Sequence, residues 1–125
     1  MTTTQATPRT PVPARFSFLR TALALQTLTI FVQAVSAGLL LSTECGEILH
    51  SVGARVMYGA SMLYLLAAVL AWKPGGGSPR AVGYASGFLV LASVQVVSGI
   101  AHLSALHVPL GVLMFGASLV AVVRR

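Results

Sequence analysis

Two segments of this chain repeat a pattern built around a histidine. EILHSVGARVMYGAS runs from Glu47 to Ser61, and LHVPLGVLMFGAS runs from Leu106 to Ser118. Both open on Leu-His and close on Met-aromatic-Gly-Ala-Ser, with His50 and His107 separated by 57 residues. A lone histidine beside an apolar run commonly meets lipid headgroups or a neighbouring carbonyl. Two at matched points of a repeat suit a shared task, because a neutral imidazole can ligate a metal through one ring nitrogen. A second pair of segments repeats as well: VQAVSAG (Val32–Gly38) and VQVVSGI (Val94–Ile100) place Gln33 and Gln95 ahead of the two histidines. Each half therefore reads as a glutamine run, a connector and a histidine run.

Long apolar elements must carry these residues. Of the 125 residues, 56% are hydrophobic and 8% charged, too little charge to cover a soluble domain. The reading is an all-α integral membrane protein, since lipid cannot satisfy an open backbone and helices satisfy their own. Four apolar runs, Phe18–Leu41, Leu49–Trp72, Ala81–Leu103 and Ala105–Val123, each approach the roughly 20 residues needed to cross a bilayer. The organisation is a disordered Thr- and Pro-rich tail over residues 1–17, a first helical hairpin over 18–72, a loop over 73–80 and a second hairpin over 81–125. The loop, KPGGGSPR, is breaker chemistry between two hairpins. Cys45 is the single cysteine, which excludes an internal disulfide and the paired-cysteine zinc patterns. The formal charge of +6 is not that of a nucleic-acid binder, because the basic residues sit at the ends of apolar runs and not on one polar element.

Those basic residues set the expected orientation. Arg9, Arg15 and Arg20 precede the first run, Lys73 and Arg80 flank the middle loop, and Arg124 and Arg125 close the sequence. Neither other connector holds Lys or Arg, and the first carries Glu44 and Glu47. The positive-inside rule puts both termini and the middle loop in the cytoplasm of a bacterial-type inner membrane. The first run, with VSA at Val35–Ala37, also has the outline of a cleaved signal. Its Gln33 belongs to the repeat, and the expectation is that it stays.

With two crossings per half, the halves run parallel and form a four-helix bundle of two two-helix repeats. In such a bundle the second and fourth helices can lie on a diagonal, on the order of 12–14 Å apart when neighbours are roughly 8–10 Å apart. That gap suits two imidazoles converging on one iron, the arrangement of a bis-histidine b-type haem. His50 and His107 are the expected metal ligands. Gly53, Ala54 and Gly111, with Gly38 and Gly99 on the other helices, would admit a flat macrocycle. Gln33 and Gln95 either line that pocket or hydrogen-bond between helices. Glu47 shares a face with His50, and Arg55 lies deeper, where a charge is costly and functional by default; it would snorkel outward, pair with Glu47 or meet a haem propionate. His102 has no counterpart in the first half and is read as an interfacial side chain or a propionate neighbour. A cofactor-free tetraspan, serving as a subunit or scaffold of a larger membrane complex, is the competing expectation.

The residues resemble one family. EILH (Glu47–His50) is similar to the start of the Glu-x-x-His-Arg signature of haem A synthases, and QVVSGIAHLSALHVPLGVLMFG (Gln95–Gly116) resembles that family's glutamine–glycine helix, short outer loop and histidine helix. The likeness covers about residues 20–123 and one four-helix half of an eight-helix enzyme. It implies that His50 and His107 are axial haem ligands and that Glu47 is the functional carboxylate. Ser51 stands where the signature has arginine, and Cys45 stands alone where some members have a cysteine pair. A homodimer would rebuild eight helices with two equivalent sites.

The orientation is directly testable. Reporter fusions in the Gly75–Gly77 loop and after Arg125 are expected to report cytoplasm, and a fusion after Glu44 the opposite side. An external signal from the Gly75–Gly77 loop would overturn both the span count and the parallel halves.

Overall fold

The computed structural model describes residues 14–124, with side chains from Phe18 onward. Most of the tail read over residues 1–17 lies outside that range, and its last four residues are helical. Four helices follow one another: α1 Ala14–Leu40, α2 Gly46–Trp72, α3 Arg80–Ile100 and α4 Ser104–Val123. Each is long and apolar enough to span a membrane. Among the described residues, α1 packs on α2 and α4, and α3 packs on α2 and α4. The backbones of α1 and α3, and those of α2 and α4, do not approach one another among the described residues, so both pairs are diagonal.

Helix ends differ from the apolar runs in instructive ways. α2 starts at Gly46, three residues before the run at Leu49, which brings Glu47 into its first turn. A carboxylate there meets the positive end of the helix dipole. α3 ends at Ile100, three residues before the end of its apolar run at Leu103, so the turn to α4 is Ala101–Leu103. His102 takes a left-handed φ of 55° in that turn. Its N–H bonds the Gly99 carbonyl and the Leu103 N–H bonds that of Ser98, the pairing of a Schellman cap made with histidine in the usual glycine place. Pro109 falls in the second turn of α4, beyond the first-turn position where a missing N–H is free of cost. It leaves the Ala105 carbonyl without its helical donor.

The up-down order gives the bundle two chemically distinct ends. Arg20, Lys73, Arg80 and Arg124 lie at one, the basic end; Glu44, Glu47 and all three histidines lie at or near the other, the histidine end. Toward the basic end the interior is apolar and built from small residues: Leu19, Ala22 and Leu23 with Tyr64, Ala67, Ala68, Ala71, Ala81 and Ala85. Alanine lets helix backbones approach closely, which is how helices bind one another where water exerts no drive. A second cluster of Ile30, Met57, Phe88, Ala92 and Met114 fills the middle. Beyond it, toward the histidine end, no described apolar side chain is buried on any helix.

Polar groups thread this interior. Thr27 Oγ1 and Ser118 Oγ share a hydrogen bond of 2.5 Å between α1 and α4, and Tyr58 Oη pairs with Ser93 Oγ at 3.0 Å between α2 and α3. Gln26 is fully buried, and neither its amide oxygen nor its nitrogen has a hydrogen-bond partner.

Two glycines of α2 separate the demands of packing from those of helix formation. A Cβ at Gly46 would overlap the backbone of Leu39 and Leu40, whereas one at Gly59 would meet nothing within 4 Å. Gly46→Ala is expected to cost roughly 1–3 kcal/mol by forcing the α1–α2 turn open. Gly59→Ala is expected to be neutral or stabilising by up to about 1 kcal/mol. Thermal unfolding of the two variants in detergent micelles checks the contrast; equal shifts would contradict the close approach at Gly46.

Candidate functional site

At the histidine end, α1 and α3 each present a glutamine and, one turn on, a serine. Gln33 and Ser36 lie seven and four residues before the end of α1; Gln95 and Ser98 lie five and two before the end of α3. This spacing puts each pair on one helix face. Facing them, His50 and His107 each lie about one turn inside α2 and α4.

The contacts in the two hairpins correspond. Gln33 Nε2 donates to the His50 carbonyl at 3.2 Å, and Gln95 Nε2 donates to the His107 carbonyl at 2.8 Å. Ser36 Oγ donates to the Gln33 carbonyl at 3.0 Å, and Ser98 Oγ to the Gln95 carbonyl at 2.9 Å. Both amide bridges need a missing side chain on the facing helix. A Cβ on Gly53 would overlap Gln33 Nε2, and one on Gly111 would lie 2.9 Å from Gln95 Nε2.

These bonds fix the imidazole tautomers. His107 Nδ1 lies 2.9 Å from the Gln95 carbonyl oxygen, which can only accept, so the proton is on Nδ1. Ser98 Oγ stands nearby at 3.4 Å. His50 Nδ1 lies 3.0 Å from Ser36 Oγ. That hydroxyl already donates to Gln33, so it accepts from the ring, and the proton again sits on Nδ1. The neutral form of each ring then has its lone pair on Nε2. A carbonyl or hydroxyl that accepts from one ring nitrogen is the usual way a ligating histidine is held.

The rings come from diagonal helices and meet, with centres 6.1 Å apart and planes inclined by 71°. Both residues are half-buried. Gln95 Oε1 is buried beside them with no hydrogen-bond partner. Among the described residues no group of three or more His, Cys, Asp or Glu side chains comes together. The protein therefore offers two nitrogens here and no further ligand of those types.

The structure brings together four of the residues singled out by sequence, Gln33, Gln95, His50 and His107. Glu47 and Arg55 are both exposed, and no described hydrogen bond or ion pair links either to the histidines or to the other. Arg55 follows His50 by five residues, which turns it well away from the face that His50 uses. His102 is exposed in the α3–α4 turn. Ser36 and Ser98 were not among the expected site residues, although the Gln-x-x-Ser spacing is repeated within the two segments that carry the glutamines. No family model, curated protein or solved structure matches the chain.

The amide bridge and the glycine opposite it act as one unit, which a double-mutant cycle can measure. Gly53→Ala is expected to displace Gln33 and cost about 0.5–1.5 kcal/mol, the net worth of one hydrogen bond. In a Gln33→Leu background most of that cost should disappear. A Gly53→Ala penalty that is unchanged by Gln33→Leu would assign the glycine to backbone packing alone.

Proposed function

We propose that the protein holds one b-type haem at the histidine end, with His50 and His107 as its axial ligands, for electron transfer or haem handling. The observation that carries this reading is the ring pair. Each imidazole has its Nδ1 proton committed to the helix behind it, and the ring centres stand 6.1 Å apart. Metal–imidazole bonds of about 2 Å put two axially ligating ring centres roughly 6 Å apart.

Other features fit the group. An iron whose equatorial positions are filled by a porphyrin needs two protein ligands, and two nitrogens are what the site offers. At this end Ser36 and Ser98 are buried and no large apolar side chain is, which suits a bundle interior that accepts a flat group. Gln95 Oε1 is an acceptor left open beside it. When bound, haem b would supply a one-electron iron couple. The protein's own residues would hold and tune it: His50 and His107 would ligate through Nε2, with Ser36, Ser98 and the Gln95 carbonyl orienting the rings and Gln33 and Gln95 holding each helix pair at its spacing. Glu47, at the rim of the same helix end, would bias the local potential without touching the iron.

The matching glutamine, serine and histidine contacts in α1–α2 and α3–α4 also support two parallel repeats related by an axis along the bundle. The basic end would then face the cytoplasm and the haem would lie near the outer face of the inner membrane. The resemblance to half of haem A synthase fits this picture, and a homodimer would rebuild the eight-helix form.

A second reading, a cofactor-free tetraspan subunit of a larger membrane complex, draws on α4. Only Met114 and Ser118 of that helix are buried, so most of its surface is open to lipid or to another chain.

Absorption spectroscopy separates the two. Purified protein expressed with ample haem is expected to show a low-spin b-type spectrum with a Soret band that sharpens on reduction. His50→Ala or His107→Ala should give high-spin or haem-free protein, His102→Ala should keep the low-spin spectrum, and Glu47→Gln should keep haem with an altered potential. Colourless wild-type protein, or unchanged spectra in both ligand variants, would leave the tetraspan subunit as the better reading.

A further inference from the structure

The distribution of charge raises a question that the histidine site does not answer. The sequence contains two carboxylate side chains, Glu44 and Glu47, and both lie at the histidine end. The basic end carries Arg20, Lys73, Arg80 and Arg124 among the described side chains, with no acidic side chain of this chain near enough to balance them. The Lys73 ammonium is placed over the Trp72 ring, 4.8 Å from its centre. Arg20 makes no described ion pair. It lines a cavity of about 260 Å³ between α1 and α4, together with Thr21, Leu23, Ala24 and Val122. The cavity is thus polar at the end that Arg20 and Thr21 form and apolar along Leu23, Ala24 and Val122. Antiparallel packing of the two helices also brings Arg124, at the C-cap of α4, to the same end of the bundle as Arg20.

The geometry points to a binding site for an anionic phospholipid in this α1–α4 groove. The Arg20 guanidinium takes the phosphate, in the planar donor geometry that suits phosphate oxygens. The exposed Ala24 and half-buried Val122 side chains receive the start of an acyl chain, with the core residue Leu23 as the floor behind them. The counter-charge missing from the chain itself is then provided by the membrane it spans. A basic pocket between helices at a charged leaflet is a recurrent way to select such lipids. This inference stands apart from the haem reading, since the groove lies at the opposite end of the bundle and uses none of its residues.

The test uses the full chain in neutral detergent micelles, stripped of lipid and then titrated with phosphatidylglycerol, phosphatidylcholine or inorganic phosphate. Native mass spectrometry reads bound lipid, and thermal unfolding reads its effect. Phosphatidylglycerol is expected to bind and raise the unfolding temperature, and phosphatidylcholine and phosphate to do neither. Arg20→Gln should weaken phosphatidylglycerol binding about fivefold, the loss typical of one basic residue at a membrane surface. Arg20→Lys should weaken it less, and Arg80→Gln, at a different corner, should leave it unchanged. Ala24→Trp, which fills the groove and keeps the charge, should also weaken binding. Equal binding of both lipids, the full effect from phosphate alone, or binding unaffected by both Arg20→Gln and Ala24→Trp would overturn the assignment. So would a groove occupied by a co-purifying acidic protein that phosphatidylglycerol fails to displace.

Discussion

Two amide-to-carbonyl hydrogen bonds, Gln33 to His50 and Gln95 to His107, govern the histidine end of the bundle. Helices in a bilayer have no water to push them together, so their spacing is set by contact and by polar pairs of this kind. The glutamine must reach across to a backbone oxygen that already serves its own helix. It can do so only because Gly53 and Gly111 leave the intervening space empty. Once the helices stand at that distance, the serine one turn on and the glutamine's own carbonyl lie within reach of the imidazole Nδ1. Spacing, tautomer and ring direction thus follow from a single bridge, made twice.

The rest of the interior is organised around keeping this end different. Toward the basic end, alanine faces alanine with Leu19, Leu23 and Tyr64 closing the gaps, an arrangement that excludes anything larger than a side chain. The middle cluster of Ile30, Met57, Phe88, Ala92 and Met114 acts as the floor beneath the histidines. Gln26 interrupts the apolar interior with a buried amide whose two polar atoms have no partner. Its level on α1 is two turns from Gln33, so polarity continues along the bundle below the pair of bridges.

Much of this was legible before any coordinate. Four helices follow from four apolar runs, because a bilayer permits little else, and the diagonal relation of α2 and α4 follows from short connectors. The histidines and glutamines were visible as repeats. Helix ends were less so: the turn after Ile100 uses a histidine in the left-handed region, where a glycine or proline would have announced it. Ser36 and Ser98 stayed hidden because a serine in a membrane helix usually bonds its own backbone, and only the facing imidazole gives it another use. Arg55 illustrates the converse. A charge within a span suggests a task, yet five residues beyond His50 it faces away from the site and is exposed.

All three histidines of the sequence lie toward one end of the bundle, and from His50 to the far end of α2 is roughly 30 Å of helix. On the proposed reading, that stretch contains no second imidazole to relay an electron. Oxidant and reductant would have to visit the same face in turn. Such a cycle carries no net charge through the bilayer, so the membrane voltage would neither drive nor oppose it. On that proposal the long alanine-lined half would serve as insulation, and the protein would be a one-sided electron store and not a wire across the membrane.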